Sequence, residues 1–364
     1  MSAAMKAAVL HQIPGDLVID EIQIDKPGRR EVLVRTVAAG CCHSDLHFME
    51  GKYPHPTPVV LGHESAGIVE AVGDDVTYVK PGDHVITCLS VFCGQCDYCI
   101  SGRPNLCTKE STRRAFDQPQ RLSKDGAPVF QFLDLSSFAE QMLVHEGAVV
   151  KIRDDMPLDR AALIGCGVTT GLGAVLNTAS VRAGETVAVI GCGGVGLAAI
   201  QGAAIAGAGR IIAVDMVDSK LKLAESLGAT DLVNAKEVDA VGTVVEMTGG
   251  GVDHAFEAIG LKVAAEQAFG MIKNGGCATV IGMIPIGQNV ELPGFQFLME
   301  KKIQGSNMGS NRFRIDMPRY VDMYLQGKLN LDDMISARLP LTEINSAFEQ
   351  MKTGEIARDV IIFD

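Results

Sequence analysis

Through about residue 150 the chain sets short apolar runs between Gly, Pro and Asp punctuation. Residues 31–37 and 65–72 are Val-rich runs of strand length, and Pro81-Gly82-Asp83 marks a turn. This pattern predicts a domain of strands and loops with little helix. From about Thr169 the texture changes: residues 186–190, 195–206 and 210–214 read as apolar strand, Ala-rich helix and apolar strand. Strands that alternate with helices predict a parallel, doubly wound sheet, so the fold class is α/β. Residues 252–258 and 277–282 predict further buried strands, and the chain ends in polar-faced helices and a strand at 360–363. Residues 108–135 read as one long irregular connection whose polar first half lies on the surface. The domain boundaries expected are 1–167, 168–307 and a C-terminal return to the first domain over 308–364.

A length of 364 residues and a hydrophobic share of 47% supply enough apolar material for two cores. The 32 basic and 44 acidic residues leave a formal charge of −12, which disfavours nucleic acid or an anionic membrane as a partner. Residues 186–209 carry no charge and are long enough to span a bilayer, but their glycines divide them into strand, turn and helix. Residues 1–6 lack a basic region followed by an apolar run, so a secretory leader is not expected. Ten cysteines in a cytoplasmic protein then mean metal ligands or buried thiols rather than disulfides.

The Gly191-Cys192-Gly193-Gly194-Val195-Gly196 segment stands between the apolar strand and the Ala-rich helix. Glycines there let a pyrophosphate approach backbone N–H groups at the positive end of a helix. Asp215 ends the next strand nineteen residues after Gly196 (215 minus 196), placed to accept hydrogen bonds from the adenosine ribose. Its charge, followed by Met216 and Val217 rather than arginine, favours NAD over NADP. Lys220, on the first turn of the following helix, reads equally as a ribose contact or a solvated lysine.

Cys93, Cys96, Cys99 and Cys107 are spaced C-x2-C-x2-C-x7-C, so that four thiolates can close around one zinc ion. An iron–sulfur cluster also uses C-x2-C-x2-C, but its fourth cysteine follows after three residues and precedes a proline; here seven residues intervene and Thr108 follows. A second, dispersed set comprises Cys41 and Cys42, the Gly62-His63-Glu64 segment, and Cys166 between two glycines. One thiolate from each outer segment and the His63 imidazole would give the three ligands and open position of a catalytic zinc. Taken singly, each cysteine reads as well as a small buried hydrophobe, and His63 as a core histidine.

In motif order and spacing the chain resembles, over essentially its whole length, the zinc-containing alcohol dehydrogenases of the medium-chain dehydrogenase/reductase family. The resemblance implies a GroES-like, mostly-β catalytic domain joined to a Rossmann cofactor domain, with the active site in the cleft between them. It implies Cys42, His63 and Cys166 as catalytic zinc ligands, Cys93 to Cys107 as structural zinc ligands, and Asp45 and Glu64 as carboxylates behind the metal. Ser44 and His47 match a proton relay that carries the alcohol proton toward solvent while hydride passes to nicotinamide. His43 and Arg358 match phosphate contacts. Thr170 and Val195 match positions against the nicotinamide, Tyr53, Leu89, Phe132, Leu133 and Met283 match the substrate pocket, and Ile281 matches a pocket position that also binds cofactor. The reading is an NAD-dependent alcohol dehydrogenase acting on hydrophobic primary alcohols, medium-chain, allylic or benzylic. The alternatives are an S-(hydroxymethyl)glutathione dehydrogenase or, more distantly, a non-catalytic NAD-binding protein. The length of the 108–131 connection favours a homodimer, with a tetramer as the other assembly.

Overall fold

The computed structural model describes residues 3–363 apart from 109, 115–117 and 355. The chain divides into two compact units, one holding the chain through Cys166 with Arg312–Thr353 and the segment from Arg358, the other Gly167–Asn311 and Gly354–Ala357. The return thus begins at 312 rather than 308. The turn at Met308, Gly309 and Ser310 stays with the second unit because Asn177 Nδ2 donates to the Gly309 carbonyl, and the Thr178 hydroxyl bonds those of Ser306 and Ser310.

The first unit pairs a small closed barrel with a seven-stranded sheet. In the sheet, Glu31–Gly40 is central, antiparallel to Ser65–Val72, Gln141–His145 and the C-terminal strand Asp359–Ile362. Its pattern buries Val32 and Val34 against Val69, Val85 and Val144, as the period of two in a half-covered strand requires. The 108–135 connection is not wholly irregular: Leu122–Lys124 and Ala127–Gln131 form a hairpin that closes the barrel. Short strands with Pro128 and Gly126 gave too little alternation to show it.

The second unit is a six-stranded parallel sheet in the order Asp231–Asn234, Arg210–Asp215, Thr186–Ile190, Val252–Glu257, Ile272–Val280, Lys302–Gly305. Ile190, Val214, Ala255, Phe269 and Ala278 belong to one core cluster within it. Helices on both faces make its inner strands continuous apolar runs. The apolar helical stretch Leu158–Ala179 is long enough to cross a membrane by composition, but 83% of its most apolar window is buried in the protein.

Candidate active site

Strand Glu31–Gly40 delivers the chain into a short helix, His43–Met49, whose first turn builds much of the site. Cys42 caps this helix. Asp45, three residues on and fully buried, accepts from the Cys42 N–H at 3.3 Å, from the Gly62 N–H at 3.0 Å and from His63 Nδ1 at 3.1 Å. Donation from Nδ1 fixes the tautomer, leaving the Nε2 lone pair for a metal. That Nε2 is buried with no hydrogen-bond partner of normal geometry, and it lies within 4.8 Å of the Cys42 and Cys166 sulfurs. Cys166 reaches them from a π-type turn, Ile164–Val168, that interrupts the helix begun at Leu158. Hydrogen bonding between the two sulfurs pulls Cys42 below the usual thiol range and pushes Cys166 above it. Two buried sulfurs and an orphaned imidazole nitrogen form a donor set that fits zinc, with no fourth protein ligand among the described residues.

Behind the set lie Glu64 and Arg358. Arg358, 4% exposed, donates to the Cys41 carbonyl at 2.7 Å and stands 3.4 Å from Glu64 Oε1. It arrives there because Val360 pairs with Gly40 and the Cys41 N–H donates to the Asp359 carbonyl. The C-terminal strand thus seats this guanidinium beneath the metal ligands. Ser44 Oγ lies 3.7 Å from Cys42 Sγ, and His47 occupies the next turn of the same helix face. His47 stacks on Tyr53 at 6.2 Å; burial and then Lys52 lower its pKa. His43 is exposed at the helix start. Phe132, fully buried, sets its ring edge-on to His63 at 5.7 Å and to Phe48 at 4.7 Å, and Phe48 stacks on Tyr53. Leu133 is half-buried with φ +51, and Leu89 packs on the strand core.

The four clustered cysteines meet within 4.8 Å of one another. Backbone N–H groups of Gln95 and Cys96 donate to Cys93 Sγ, and that of Cys93 donates to Cys107 Sγ. Such donors favour thiolates, and the set is closed as a structural zinc site requires.

In the second unit Gly191 to Gly196 turn from strand into the helix Gly194–Ile205. A Cβ at Gly196 would collide with the Gly191 carbonyl, so the turn closes only with glycine there. Asp215 stabilises this turn itself: Oδ2 accepts from the Cys192 N–H at 2.7 Å, and Oδ1 from Met216 and Val217. Val195, Lys220, Ile281 and Met283 are half-buried, while Thr170, 8% exposed, donates to Met308 Sδ at 3.2 Å. Sequence reasoning missed Glu257, fully buried, which accepts N–H bonds from Ile259, Gly260 and Gly282. It also missed the fate of Arg113 and Arg114. Arg113 pairs with Asp134, and Arg114 spans Asp25 and Glu31.

Residues 28–154 match the alcohol dehydrogenase GroES-like domain, and residues 194–325 match the zinc-binding dehydrogenase domain. Alcohol dehydrogenase 1 of Pisum sativum is 40% identical over 98% of this chain and 96% of its own. The S-(hydroxymethyl)glutathione dehydrogenase of Saccharomyces cerevisiae is 39% identical, with 98% and 96% covered. The crystal structure of benzyl alcohol dehydrogenase from Acinetobacter calcoaceticus superposes with a TM-score of 0.94 at 34% identity, with both chains fully covered.

Proposed function

The chain belongs to the zinc-containing alcohol dehydrogenases of the medium-chain dehydrogenase/reductase family, and from that premise we propose that it oxidises hydrophobic primary alcohols, benzylic, allylic or medium-chain, with NAD. The observation that carries the substrate class is the aromatic wall of the partly exposed Tyr53 and Phe48, backed by the buried Phe132 whose ring meets that of His63. Such a wall rewards apolar substrate, each buried methylene adding about 0.8 kcal/mol. Arg113 pairs with Asp134, and Arg114 with Asp25 and Glu31, so each of these two cations already faces a carboxylate.

Cys42, His63 and Cys166 would hold the zinc, which would supply a Lewis acid to the alcohol oxygen, and the Gly-rich turn with Asp215 would hold NAD as the hydride acceptor. Asp45 holds the His63 ring in the tautomer that can bind the metal. The Ser44 hydroxyl passes the alcohol proton on, and His47, kept neutral to lower pH by burial, receives it. The test is a panel of kcat/KM values. Benzyl alcohol and hexanol should exceed ethanol and S-(hydroxymethyl)glutathione; the reverse order with the glutathione adduct first would establish the second reading, which the Saccharomyces cerevisiae relative favours.

We further propose a homodimer in the cytoplasm. The strand Lys302–Gly305 ends the parallel sheet, and beside it in sequence Ile286, Phe295 and Leu298 are each over 70% exposed. An open edge flanked by such apolar groups suits pairing with a second copy. Light scattering should give twice the 38.6 kDa chain mass, and Phe295→Lys should shift it toward monomer. Ten cysteines, six of them in two metal-donor sets, suit a reducing compartment, which cell fractionation tests.

A further inference from the structure

The strand Val252–Glu257 ends in a carboxylate that belongs to no sequence motif. Glu257 Oε1 accepts the N–H groups of Ile259 at 2.8 Å, Gly260 at 2.6 Å and Leu261 at 3.4 Å, and its Oε2 accepts that of Gly282 at 3.1 Å. Its carbonyl accepts the Ile281 N–H at 2.9 Å. One residue therefore ties the loop leaving its own strand to the loop leaving Ile272–Val280. The two loops touch so closely that a Cβ on Gly282 would strike the Gly260 backbone and the Glu257 carboxylate. The Ile259 side chain in turn lies over Gly191, at the start of the Gly-rich turn.

The sheet order gives this junction a function. From Thr186–Ile190 the strands run outward to Asp231–Asn234 on one side and, beginning again at Val252–Glu257, to Lys302–Gly305 on the other. A dinucleotide lies across the carboxyl ends of the strands at such a reversal, one mononucleotide on each half. Asp215 and the Gly-rich turn belong to the first half. The loops at 258–261 and 281–283 belong to the second, which receives the reacting nucleotide.

We propose that Glu257 is a positioning residue for the nicotinamide nucleotide, clasping the loops 258–261 and 281–283 into one seat without itself touching the cofactor. The inference rests on the NAD reading above. A carboxylate suits this place because it only accepts, and four N–H groups converge on it; an amide would turn a donor toward one set of them.

The test uses zinc-loaded protein and two ligands, NADH and ADP, the second filling only the adenosine half. With no tryptophan in the chain, bound NADH fluorescence is read without indole emission, and ADP binding by calorimetry. Glu257→Gln should weaken NADH by about fivefold or more while leaving ADP within about twofold. Gly282→Ala, which forces the same loops apart, should reproduce that split and carries the test if Glu257→Gln does not fold. NADH affinity unchanged in Glu257→Gln, or ADP weakened as much as NADH, overturns the proposal, as does failure of both variants to fold. If the unmodified protein binds no NADH, the cofactor reading fails and this proposal with it.

Discussion

Asp45 answers three donors with one carboxylate, and only one of them is the imidazole of a metal ligand. Asp45→Asn keeps the shape but turns an N–H2 group toward at least one of those donors, so ring orientation and ligand basicity both suffer. Zinc affinity at Cys42, His63 and Cys166 should fall about 10- to 100-fold, measured by competition with a chromophoric chelator. An unchanged affinity would show that packing, including the Phe132 ring, orients His63 instead. His47 offers a test by pH. Burial first, then Lys52, lowers its pKa, so the neutral imidazole that can take a proton persists below the ordinary value of 6.5. The acid limb of kcat/KM for alcohol oxidation should therefore lie below pH 6.5. His47→Gln should flatten that limb and slow oxidation by at most about a hundredfold, since water can replace the end of a relay. A limb that survives the substitution would assign His47 to packing on Tyr53.

Among elements, the hairpin Leu122–Lys124 and Ala127–Gln131 depends on a charge cluster that no local pattern announces. Arg121 and Arg114 converge on Glu31, at 2.7 and 2.6 Å. Burial alone would raise the Glu31 pKa, but these guanidinium hydrogen bonds hold it at about 2. Arg121→Met should cost about 3–5 kcal/mol in urea unfolding by leaving a buried carboxylate short of a partner. The cluster also sets the acid limit. Burial lowers His145 from 6.5 to about 4, so its contribution is complete above pH 6.5 and is lost as pH falls toward 4. Glu31 follows, complete above its ordinary 4.5 and lost as pH falls through about 2. The melting temperature should decline in those two windows, and Arg121→Met should raise the second. In the Gly-rich element, Asp215→Gly removes the bond to the Cys192 N–H together with the carboxylate proposed to accept from the ribose. Preference for NAD over NADP should narrow chiefly because kcat/KM with NAD drops about tenfold or more, measured with both cofactors. The turn, its acid and both metal sets were legible because their chemistry needs fixed residues at short spacings. Glu31, Arg121 and Glu257 were not, since their partners are backbone groups or lie 83 to 90 residues away, where sequence gives no register.

For the whole molecule, two donor sets of different closure predict two zinc ions that leave separately. A bidentate chelator should abolish turnover while one zinc per chain remains by elemental analysis, because three protein ligands leave it a point of entry and four thiolates do not. Simultaneous loss of both ions would contradict that difference. The strand Asp359–Ile362 pairs with Glu31–Gly40 and carries Arg358 to the Cys41 carbonyl. The site is therefore stitched from segments far apart in sequence: Cys42, His63 and Cys166 all lie before Gly167, while the cation beside Glu64 comes from Arg358. Replacing Arg358 alone would leave the three donor atoms in the chain but strip the charge behind them.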